Sequence, residues 1–345
     1  MNKFSRLLLL LVSILAISCS NDDDANVPIL PEGDYFNGVL ILNEGSSAGG
    51  SVSFVSSDFQ EVENSIFASA NDGEGPGLYL QSIFFDGDRA FIISNGSNKI
   101  SVVNRFTFEL IETIDTDLRV PRYGTVLNGK AYVTNLDAFD TDQDDYVAVI
   151  NLETLEVEET VIVGATAEHI VNANGKIYIQ NAAFGSGNRI SVFDPLTNEV
   201  NDVIQIDEGL NSLKAFNNRI FALDADSVWI INTIDNSIET VIARPETLAS
   251  VNNLRIDSGQ LYYTSGTAAY TSSISDSELS SEPLFDYGSE SAFGAFYGFE
   301  VYQGTILVGD AGDFASDGTV YVYSNSGELL TDFNVGIAPN SFYFQ

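Results

Sequence analysis

A short motif recurs along most of this chain, in which a tight turn is followed by a run of apolar, strand-forming residues. The turns stand at Gly38, Gly87, Gly129, Gly175, Asn218, Gly259 and Gly304. From Gly87 onward, successive turns are separated by 42, 46, 43, 41 and 45 residues. A repeat of about 40–50 residues is typical of one four-stranded blade of a β-propeller.

Each repeat also contains later strands with alternating apolar residues, such as residues 146–150 and, after a polar turn, residues 158–163. Period-two alternation broken by turns every 8–12 residues indicates antiparallel sheet. A further strand is predicted before six of the seven turns. These six strands are residues 82–86, 122–127, 169–173, 212–216, 254–257 and 298–302.

The first repeat lacks this preceding strand, and the last seven residues of the chain supply one. Residues 339–345 are typical of an innermost strand that has no continuation. We expect them to pair with residues 39–42, because an open ring would leave two unpaired sheet edges. The sequence therefore predicts an all-β fold over residues 37–345. It is a seven-bladed β-propeller of four-stranded antiparallel blades, and the C-terminal strand closes the ring in blade 1.

The N-terminus has the pattern of a signal peptide. Lys3 and Arg6 precede an apolar run over residues 7–17, which is about half the length that a membrane-spanning helix needs. The lone cysteine, Cys19, follows small residues and resembles the bacterial lipobox, although Ala16 stands where leucine is usual. We predict a lipoprotein signal over residues 1–18 and lipidation of Cys19. The alternative is a secretory signal with an incidental cysteine.

Residues 19–36 are predicted to form an acidic, flexible linker that begins with the run Asp22, Asp23 and Asp24. A similar acidic run follows the cysteine in Bacteroidota lipoproteins that reach the outer face of the outer membrane. This resemblance implies a lipid-anchored protein of the outer membrane that is exposed on the cell surface. The alternative is an ordinary solvated linker.

The charge of the chain excludes one class of partner. It has 49 acidic and 14 basic residues, a formal net charge of −35. A nucleic-acid-binding surface needs clustered Lys and Arg to displace counterions, so no nucleic-acid partner is expected. The same charge repels anionic lipid, so contact with the membrane is expected only through the lipid anchor or a protein.

The repeats lack the signatures of WD40 and kelch propellers. The turn and strand over residues 129–133 and the run over residues 149–154 resemble instead the YncE-like seven-bladed propellers, which are close in fold to the quinoprotein amine dehydrogenase heavy chain. The segment Leu42-Asn43-Glu44-Gly45 is similar to the start of Bacteroidota lipoproteins in this group. The resemblance covers residues 37–345 and implies the fold more specifically than the function.

In a propeller, the loops from the second to the third strand and those between blades open on one face, around the central channel, where ligands usually bind. The second strand of each repeat ends in a small polar residue: Asn43, Asn95, Asn135, Asn181, Asp224, Ser265 and Asp310. This ring is expected to line the channel mouth. Alternatively, these side chains initiate turns by capping their own backbone.

The loops between blades add aromatic and polar groups: Tyr79, Gln81, Arg122, Tyr123, Glu168, His169, Asn211, Asn252, Asn253, Phe296, Tyr297 and Asn340. Phe139 and Phe184 lie in long loops after the second strand. Aromatic rings with amides suit a large, flat, partly apolar ligand. Many of these rings could instead pack between blades, and Arg122 could form a salt bridge rather than bind a ligand. The predicted ligand contacts are Asn43, Tyr79, Asn95, Arg122, Tyr123, Asn135, Phe139, His169, Asn181, Phe184, Asn211, Asn253, Tyr297, Asp310 and Asn340.

No catalytic residue is predicted. His169 is the only histidine, and catalytic or metal sites usually combine histidine with partners that this chain lacks. The acidic segment with Asp140, Asp142 and Asp144 is similar to the start of a calcium-binding loop, but Asp145 and Asn151 stand where an EF-hand has Gly and Glu. Weak calcium binding there is the alternative to a solvated loop; otherwise no cofactor is expected.

Three functions remain open on the sequence. In the first, the protein is a surface lipoprotein that captures a nutrient for a TonB-dependent outer-membrane transporter. Some propellers of the resembled group bind cobalamin and related corrinoids, so a corrinoid is the implied ligand. In the second, the propeller is an interaction scaffold docked on an outer-membrane protein without a small ligand. The least favoured is an enzyme, such as a lactonase or a quinoprotein-like dehydrogenase.

Overall fold

The computed structural model describes residues 33–291 and 293–345. Within these residues the chain forms seven sheets, each of four antiparallel strands. The innermost strands of neighbouring blades contact one another around a central channel. The predicted fold class and the predicted number of blades are confirmed. No helix in this part of the chain combines the length and the apolar character needed to span a bilayer.

The blades follow one another along the chain, and each has four strands that succeed one another from the channel outward. Blade 1 contains β28 (Pro339–Phe344), β1 (Gly38–Ser46), β2 (Gly49–Ser56) and β3 (Val62–Glu63). Blade 2 contains β4 (Leu80–Asp86), β5 (Arg89–Ser94), β6 (Lys99–Asn104) and β7 (Leu110–Ile114). Blade 3 contains β8 (Pro121–Leu127), β9 (Lys130–Asn135), β10 (Tyr146–Asn151) and β11 (Glu156–Ile162). Blade 4 contains β12 (Ile170–Ala173), β13 (Lys176–Ala183), β14 (Ser186–Asp194) and β15 (Glu199–Gln205).

The remaining three blades have the same order. Blade 5 contains β16 (Ser212–Phe216), β17 (Arg219–Leu223), β18 (Ser227–Asn232) and β19 (Ile238–Ala243). Blade 6 contains β20 (Asn252–Asp257), β21 (Gln260–Ser265), β22 (Ala268–Ser273) and β23 (Pro283–Asp286). Blade 7 contains β24 (Gly298–Tyr302), β25 (Thr305–Asp310), β26 (Thr319–Ser324) and β27 (Leu329–Asn334). A one-turn helix, α1 (Ile66–Ala70), lies in the loop between β3 and β4.

The hydrophobic core lies between the blades. The second and third strands are buried along almost their whole length, whereas outer strands such as β15 are largely exposed. Phe84 and Phe91 of blade 2 stack with ring centroids 4.6 Å apart and join one apolar cluster with Ala131 and Tyr146 of blade 3. Sheets of a propeller pack face to face in this way because each blade buries both of its faces against its neighbours.

The C-terminal strand closes the ring as predicted. In β28, Phe344, Tyr343 and Phe342 pair in antiparallel register with Val39, Leu40 and Ile41 of β1, respectively. Phe342 is almost fully buried in a cluster that spans blades 1 and 7.

Beyond strand pairing, a side chain of β28 joins blade 1 to blade 2. The Tyr343 hydroxyl accepts a hydrogen bond of 2.7 Å from the backbone N–H of Ile83 in β4. The end of the chain therefore fixes two blades at once.

Most of the predicted signal peptide and linker, including Cys19, lies outside the described residues. At the last residues assigned to the linker, Tyr35 is buried on the propeller. Its backbone N–H donates to the Phe106 carbonyl oxygen at 3.1 Å, and its hydroxyl donates to Glu63 at 3.0 Å.

The two faces of the ring differ in the loops that they carry. We call the face formed by the second-to-third-strand loops and the loops between blades the mouth face. The turn from β6 to β7, which contacts Tyr35, lies on the opposite face, as does the junction where the Gln345 N–H donates to the Gly38 carbonyl oxygen at 2.9 Å. The chain therefore joins the ring on the face opposite the mouth.

We expect Tyr343→Phe to lower the free energy of unfolding by about 1–3 kcal/mol, because it leaves the buried Ile83 N–H without its acceptor. Tyr302→Phe is the matched control, since the Tyr302 hydroxyl bonds only to the exposed side chain of Gln303; a change within about 0.5 kcal/mol is expected there. Urea denaturation measures both. Equal effects of the two substitutions would show that the closing contact contributes nothing specific.

Candidate binding site at the channel mouth

Two connected cavities lie along the axis of the ring. The channel cavity, of about 280 Å³, is lined by the innermost strands, and the mouth cavity, of about 300 Å³, lies at the mouth face. Both are lined by Tyr123, Tyr297, Asn340 and Ser341. These four residues form the boundary between the two cavities.

Arg122 organises the floor of the mouth cavity. Its Nε and Nη2 atoms donate to both carboxylate oxygens of Glu168, at 2.9 and 2.7 Å, and its Nη1 donates to Gln81 at 2.6 Å. Both side chains of the ion pair are nearly buried. Burial lowers the pKa of Arg122, but the Glu168 carboxylate outweighs it and raises that pKa overall. Arg122 thus forms a salt bridge with Glu168, and contact of its guanidinium with a ligand stays a prediction.

Tyr123 and His169 stack in the wall of the channel. Their ring centroids lie 3.9 Å apart, and the Tyr123 hydroxyl accepts a hydrogen bond of 2.8 Å from Gln81. Burial, together with the charges of Lys214, Arg255 and Arg122, lowers the pKa of His169 well below its ordinary value, so the imidazole is neutral at physiological pH. Among the described residues, no side-chain hydrogen bond joins this imidazole to a serine or a carboxylate.

Glu44 and Tyr297 form a second polar contact across the mouth. The Tyr297 hydroxyl donates to Glu44, which joins blades 1 and 7. Burial raises the pKa of Glu44, against the lowering effects of the Tyr297 hydrogen bond and of Arg122. Tyr297 also packs edge-on against Phe314, with ring centroids 4.9 Å apart. At the mouth, a hydrogen bond between side chains from opposite ends of the chain therefore links blades 1 and 7.

The ring of small polar residues divides into two groups. Asn43, Asn135 and Asn181 are buried, and their amides bond to nearby strands and loops, as when Asn135 accepts the Arg119 N–H at 3.0 Å. These three amides bond across strands or to the preceding loop rather than cap their own turn, whereas Asp224 and Asp310 do accept backbone N–H groups of the turns that follow them. In contrast, Asn95 lines the mouth cavity and donates to Gln81 at 2.9 Å.

The loops between blades bring several of the predicted contacts to the two axial cavities. His169, Asn211 and Asn253 line the channel cavity, and Asn340 lines both cavities. The Asn340 amide nitrogen donates to the Leu80 carbonyl oxygen at 2.9 Å, while its buried Oδ1 has no hydrogen-bond partner among the described residues. Tyr79 is exposed beside the mouth, next to Gly96.

Phe139 and Phe184 stand out on the mouth face. Their exposed fractions are 74% and 83%, and together they border a side cavity of about 370 Å³ between the long loops of blades 3 and 4. Phe184 also borders the mouth cavity. Side chains of this size are rarely left so exposed without a binding role when they lie close together.

Asp145 lies at the base of this side cavity and is only 2% exposed. Its Oδ2 accepts the Ala167 N–H at 3.0 Å, but its Oδ1 has no partner among the described residues. Burial, helped by the nearby carboxylates of Asp144 and Asp142, raises the pKa of Asp145 to about 7 against the lowering effect of the Ala167 hydrogen bond. The carboxyl group is therefore partly protonated at neutral pH.

Asp310 lies apart from the mouth cavity. It borders another cavity of the mouth face with Phe293 and Phe314, accepts the Gly312 N–H at 2.8 Å and also accepts the Ser289 hydroxyl. Of the fifteen predicted contacts, the structure thus gathers Asn95, Arg122, Tyr123, His169, Phe184, Asn211, Asn253, Tyr297 and Asn340 around the two axial cavities. A ligand-binding role for any of them stays a prediction.

The described part of the chain shows no arrangement of three or more His, Cys, Asp or Glu side chains that could hold a metal ion. Calcium binding at Asp140, Asp142 and Asp144 therefore gains no support.

Sequence reasoning missed three charged residues of the channel wall, Lys214, Arg255 and Glu300. A signal for them exists in the sequence, because each is a charged residue in the interior of a predicted innermost strand.

The pKa of Asp145 predicts a pH dependence of stability. The unfolded carboxyl titrates near 3.8 and the folded one near 7, so between these values the folded protein binds a proton that the unfolded chain has lost. Stability should therefore fall as pH rises through this window, by up to about 1.4 kcal/mol per pH unit. Asp145→Asn should flatten this slope while keeping the hydrogen bond to Ala167.

Urea denaturation from pH 5 to pH 8 measures the difference between the two proteins at each pH. Glu246→Gln, which changes an exposed carboxylate, is the control and should parallel the wild type. If Asp145→Asn also parallels the wild type, the folded carboxyl does not hold its proton.

Comparison with solved structures shows the same architecture in proteins of different kinds. A quinoprotein alcohol dehydrogenase-like protein from Bacteroides thetaiotaomicron matches with a TM-score of 0.69 at 15% identity, over 91% of this chain and 79% of that one. The hydrazine synthase of Kuenenia stuttgartiensis matches with a TM-score of 0.59 at 15% identity, over 74% and 86%. BamB from Moraxella catarrhalis matches with a TM-score of 0.50 at 13% identity, over 88% and 84%.

At these identities the likeness shows the fold alone, and enzymes and non-enzymes share it. No curated protein matches the sequence significantly. The resemblance to YncE-like propellers and to Bacteroidota lipoproteins stays a prediction. A protein-family comparison matches residues 37–344 to the family described as domain of unknown function DUF5074. The chain therefore belongs to the DUF5074 family, and its family domain is the seven-bladed propeller described above.

Proposed function

We propose that this protein is a non-catalytic binding propeller that captures a large, partly apolar molecule on its mouth face. The observation that carries the proposal is the pair of exposed phenyl rings, Phe139 and Phe184, which border cavities beside the rigid polar floor at Arg122. Exposed aromatic side chains beside fixed polar groups are the usual composition of a ligand or partner site.

The chemistry of the site suits a broad ligand with amide or hydroxyl groups. The phenyl rings offer apolar contact, Asn95 offers an amide, and the buried Oδ1 of Asn340 lacks a donor among the described residues. The mouth cavity is small, about 300 Å³, so a larger ligand would lie across the mouth rather than sink into it. A corrinoid has this character, with a broad ring and amide side chains.

Nothing in the site supports a reaction. His169 is neutral and stacked on Tyr123, and Arg122 is engaged by Glu168 and Gln81. Each of these groups is held in place by its neighbours, which suits recognition of a shape better than proton transfer.

The membrane setting of this proposal rests on the N-terminal sequence. We place the protein at the outer membrane, anchored through lipidated Cys19, exposed on the cell surface and working with a TonB-dependent transporter that takes up the captured nutrient. The chain joins the ring on the face opposite the mouth, so an anchor there would leave the mouth face free.

A second function, docking on an outer-membrane protein with no small ligand, is favoured by one observation. Phe139 and Phe184 protrude from loops rather than line a deep pocket, and Phe293 is similarly exposed on the same face. Protruding aromatic residues anchor protein interfaces as readily as they hold small molecules.

Calorimetric titration of cyanocobalamin into the purified protein tests the proposed capture. We expect saturable binding that the double substitution Phe139→Ala and Phe184→Ala weakens at least tenfold, since burying each ring contributes about 1.5–3 kcal/mol. The control is Leu196→Ala with Ile234→Ala. These side chains are 86% and 78% exposed in turns of the opposite face, and their loss should leave the affinity within about twofold.

Absence of binding to the wild type would remove the corrinoid version of the proposal. Co-purification of an outer-membrane β-barrel with the wild type, lost in the same double-phenylalanine variant, would then favour the scaffold. Equal losses in the phenylalanine variant and its control would contradict a site at the mouth altogether.

The anchor is tested separately with Cys19→Ala. We expect the wild type to remain with the outer membrane and to be cleaved when protease is added to intact cells, because the diacylated cysteine holds it there. The Cys19→Ala protein should leave the membrane fraction, and Ser20→Ala serves as the control. Membrane retention of Cys19→Ala would contradict lipidation.

A further inference from the structure

Three charged residues occupy equivalent positions in the innermost strands of three consecutive blades. Lys214 in β16 pairs with Phe221, Arg255 in β20 with Tyr262, and Glu300 in β24 with Leu307. In each blade the paired residue stands third after the turn at Asn218, Gly259 or Gly304. The three side chains therefore form one row on a single side of the channel cavity, which they line.

The equivalent positions in the other four blades carry no charge. They are occupied by Phe84, Thr125, Val171 and Phe342, whose strand partners are Phe91, Tyr132, Tyr178 and Ile41. The charged row is therefore confined to blades 5, 6 and 7.

The positive and negative charges of this row do not cancel. Arg255 donates through Nε to Glu300 at 2.8 Å and through Nη1 to the Leu254 carbonyl oxygen at 2.8 Å. This contact satisfies the one carboxylate of the row. Lys214 forms no hydrogen bond and no ion pair with any residue that the structure describes. When its amine is protonated, Lys214 therefore leaves the cavity wall with one positive charge in excess.

An unpaired ammonium in the channel is unfavourable. Burial, and then the neighbouring Arg255, lowers the pKa of Lys214 to about 7, against the opposing effect of Glu300. Lys214 is partly buried, and losing part of its hydration costs free energy that a counter-charge would offset. His169 is neutral and adds no further positive charge to this wall.

An excess of positive charge in the channel is unusual for a chain with this acidic composition. The chain carries a formal net charge of −35 and only 14 basic residues. Acidic residues are thus abundant, yet none of them pairs with Lys214 among the described residues. Lys214 is placed where an anion from solution, and no anion of the described chain, can reach it.

We propose that the channel cavity is a binding site for a small organic monocarboxylate, whose carboxylate pairs with Lys214. A single negative charge matches the single excess positive charge of the row. The free Nη2 of Arg255 offers a second donor, and the amides of Asn211 and Asn253 line the same cavity.

The size of the cavity limits the ligand. Its volume of about 280 Å³ admits acids of a few carbon atoms and is too small for a corrinoid. The channel cavity adjoins the mouth cavity at Tyr123, Tyr297, Asn340 and Ser341, and neither Phe139 nor Phe184 lines it. The site is therefore separate from the one proposed for Phe139 and Phe184.

Calorimetric titration with sodium acetate at pH 6, at constant ionic strength, tests the proposal. We expect saturable binding to the wild type and at least a tenfold rise in Kd for Lys214→Met, which keeps the length of the side chain and removes its charge. Lys130→Met is the matched control, since Lys130 pairs with Glu158 on the outside of blade 3, and it should bind acetate as the wild type does.

Two further measurements keep the proposal falsifiable. Without acetate, Lys214→Met should have a higher Tm than the wild type, because an unpaired charge has been removed; with saturating acetate the difference should shrink or reverse. Succinate, which brings a second charge, should bind more weakly than acetate, and chloride should not replace it at equal concentration.

The outcomes separate the two sites. Equal acetate affinity in the wild type and Lys214→Met, or an equal effect of chloride, would overturn the carboxylate site. Loss of acetate binding in the double-phenylalanine variant, with Lys214 intact, would overturn the separation of the two sites. Failure of cyanocobalamin to bind would leave acetate binding unaffected, so the two proposals fail independently.

Discussion

The pairing of the C-terminal strand β28 with β1 is the contact on which the rest of the structure depends. Without it, blade 1 would lack its innermost strand, and the ring would have two unpaired edges at the channel. Because this strand lines both axial cavities through Asn340 and Ser341, closure also completes the wall of the candidate site. Phe342 and Tyr343 then tie it to the cores of the neighbouring blades.

Closing the ring brings several of the few basic residues of the chain together at the channel axis. Each innermost strand contributes a few side chains to the axis, so residues more than 40 positions apart in sequence become neighbours, as Arg122 and Glu168 do. In that confined space their interactions are stronger than at the surface, because water is largely excluded. At the mouth, the Arg122 guanidinium is paired with Glu168, whereas in the row at Lys214, Arg255 and Glu300 the Lys214 amine has no carboxylate partner among the described residues.

Much of this architecture is predictable from the sequence, because it depends on a repeated local pattern. The glycine turns, the alternating strands and the unmatched final strand predict seven blades and their closure, and the structure has them. For the site, the sequence predicts only which loops meet at the axis. His169, Tyr297 and Asn340 belong to those loops and do line the channel cavity. Whether Asn135 points to solvent or bonds to the preceding loop at Arg119 depends on side-chain packing that no local pattern encodes. The sequence does not single out Lys214, because the importance of this side chain depends on the lack of a carboxylate partner among the described residues around it.

The position of β1 has a mechanical consequence for a chain held by its N-terminus. Tension applied ahead of Gly38 first meets the anchorage of Tyr35 on Phe106 and Glu63. It then loads β1 along its length, where backbone hydrogen bonds to β28 on one side and β2 on the other share the force in shear. Shearing a strand requires many hydrogen bonds to break together, whereas peeling breaks them singly. A propeller tethered by its N-terminus would therefore resist a pulling force at β1, the strand whose pairing with β28 closes the ring.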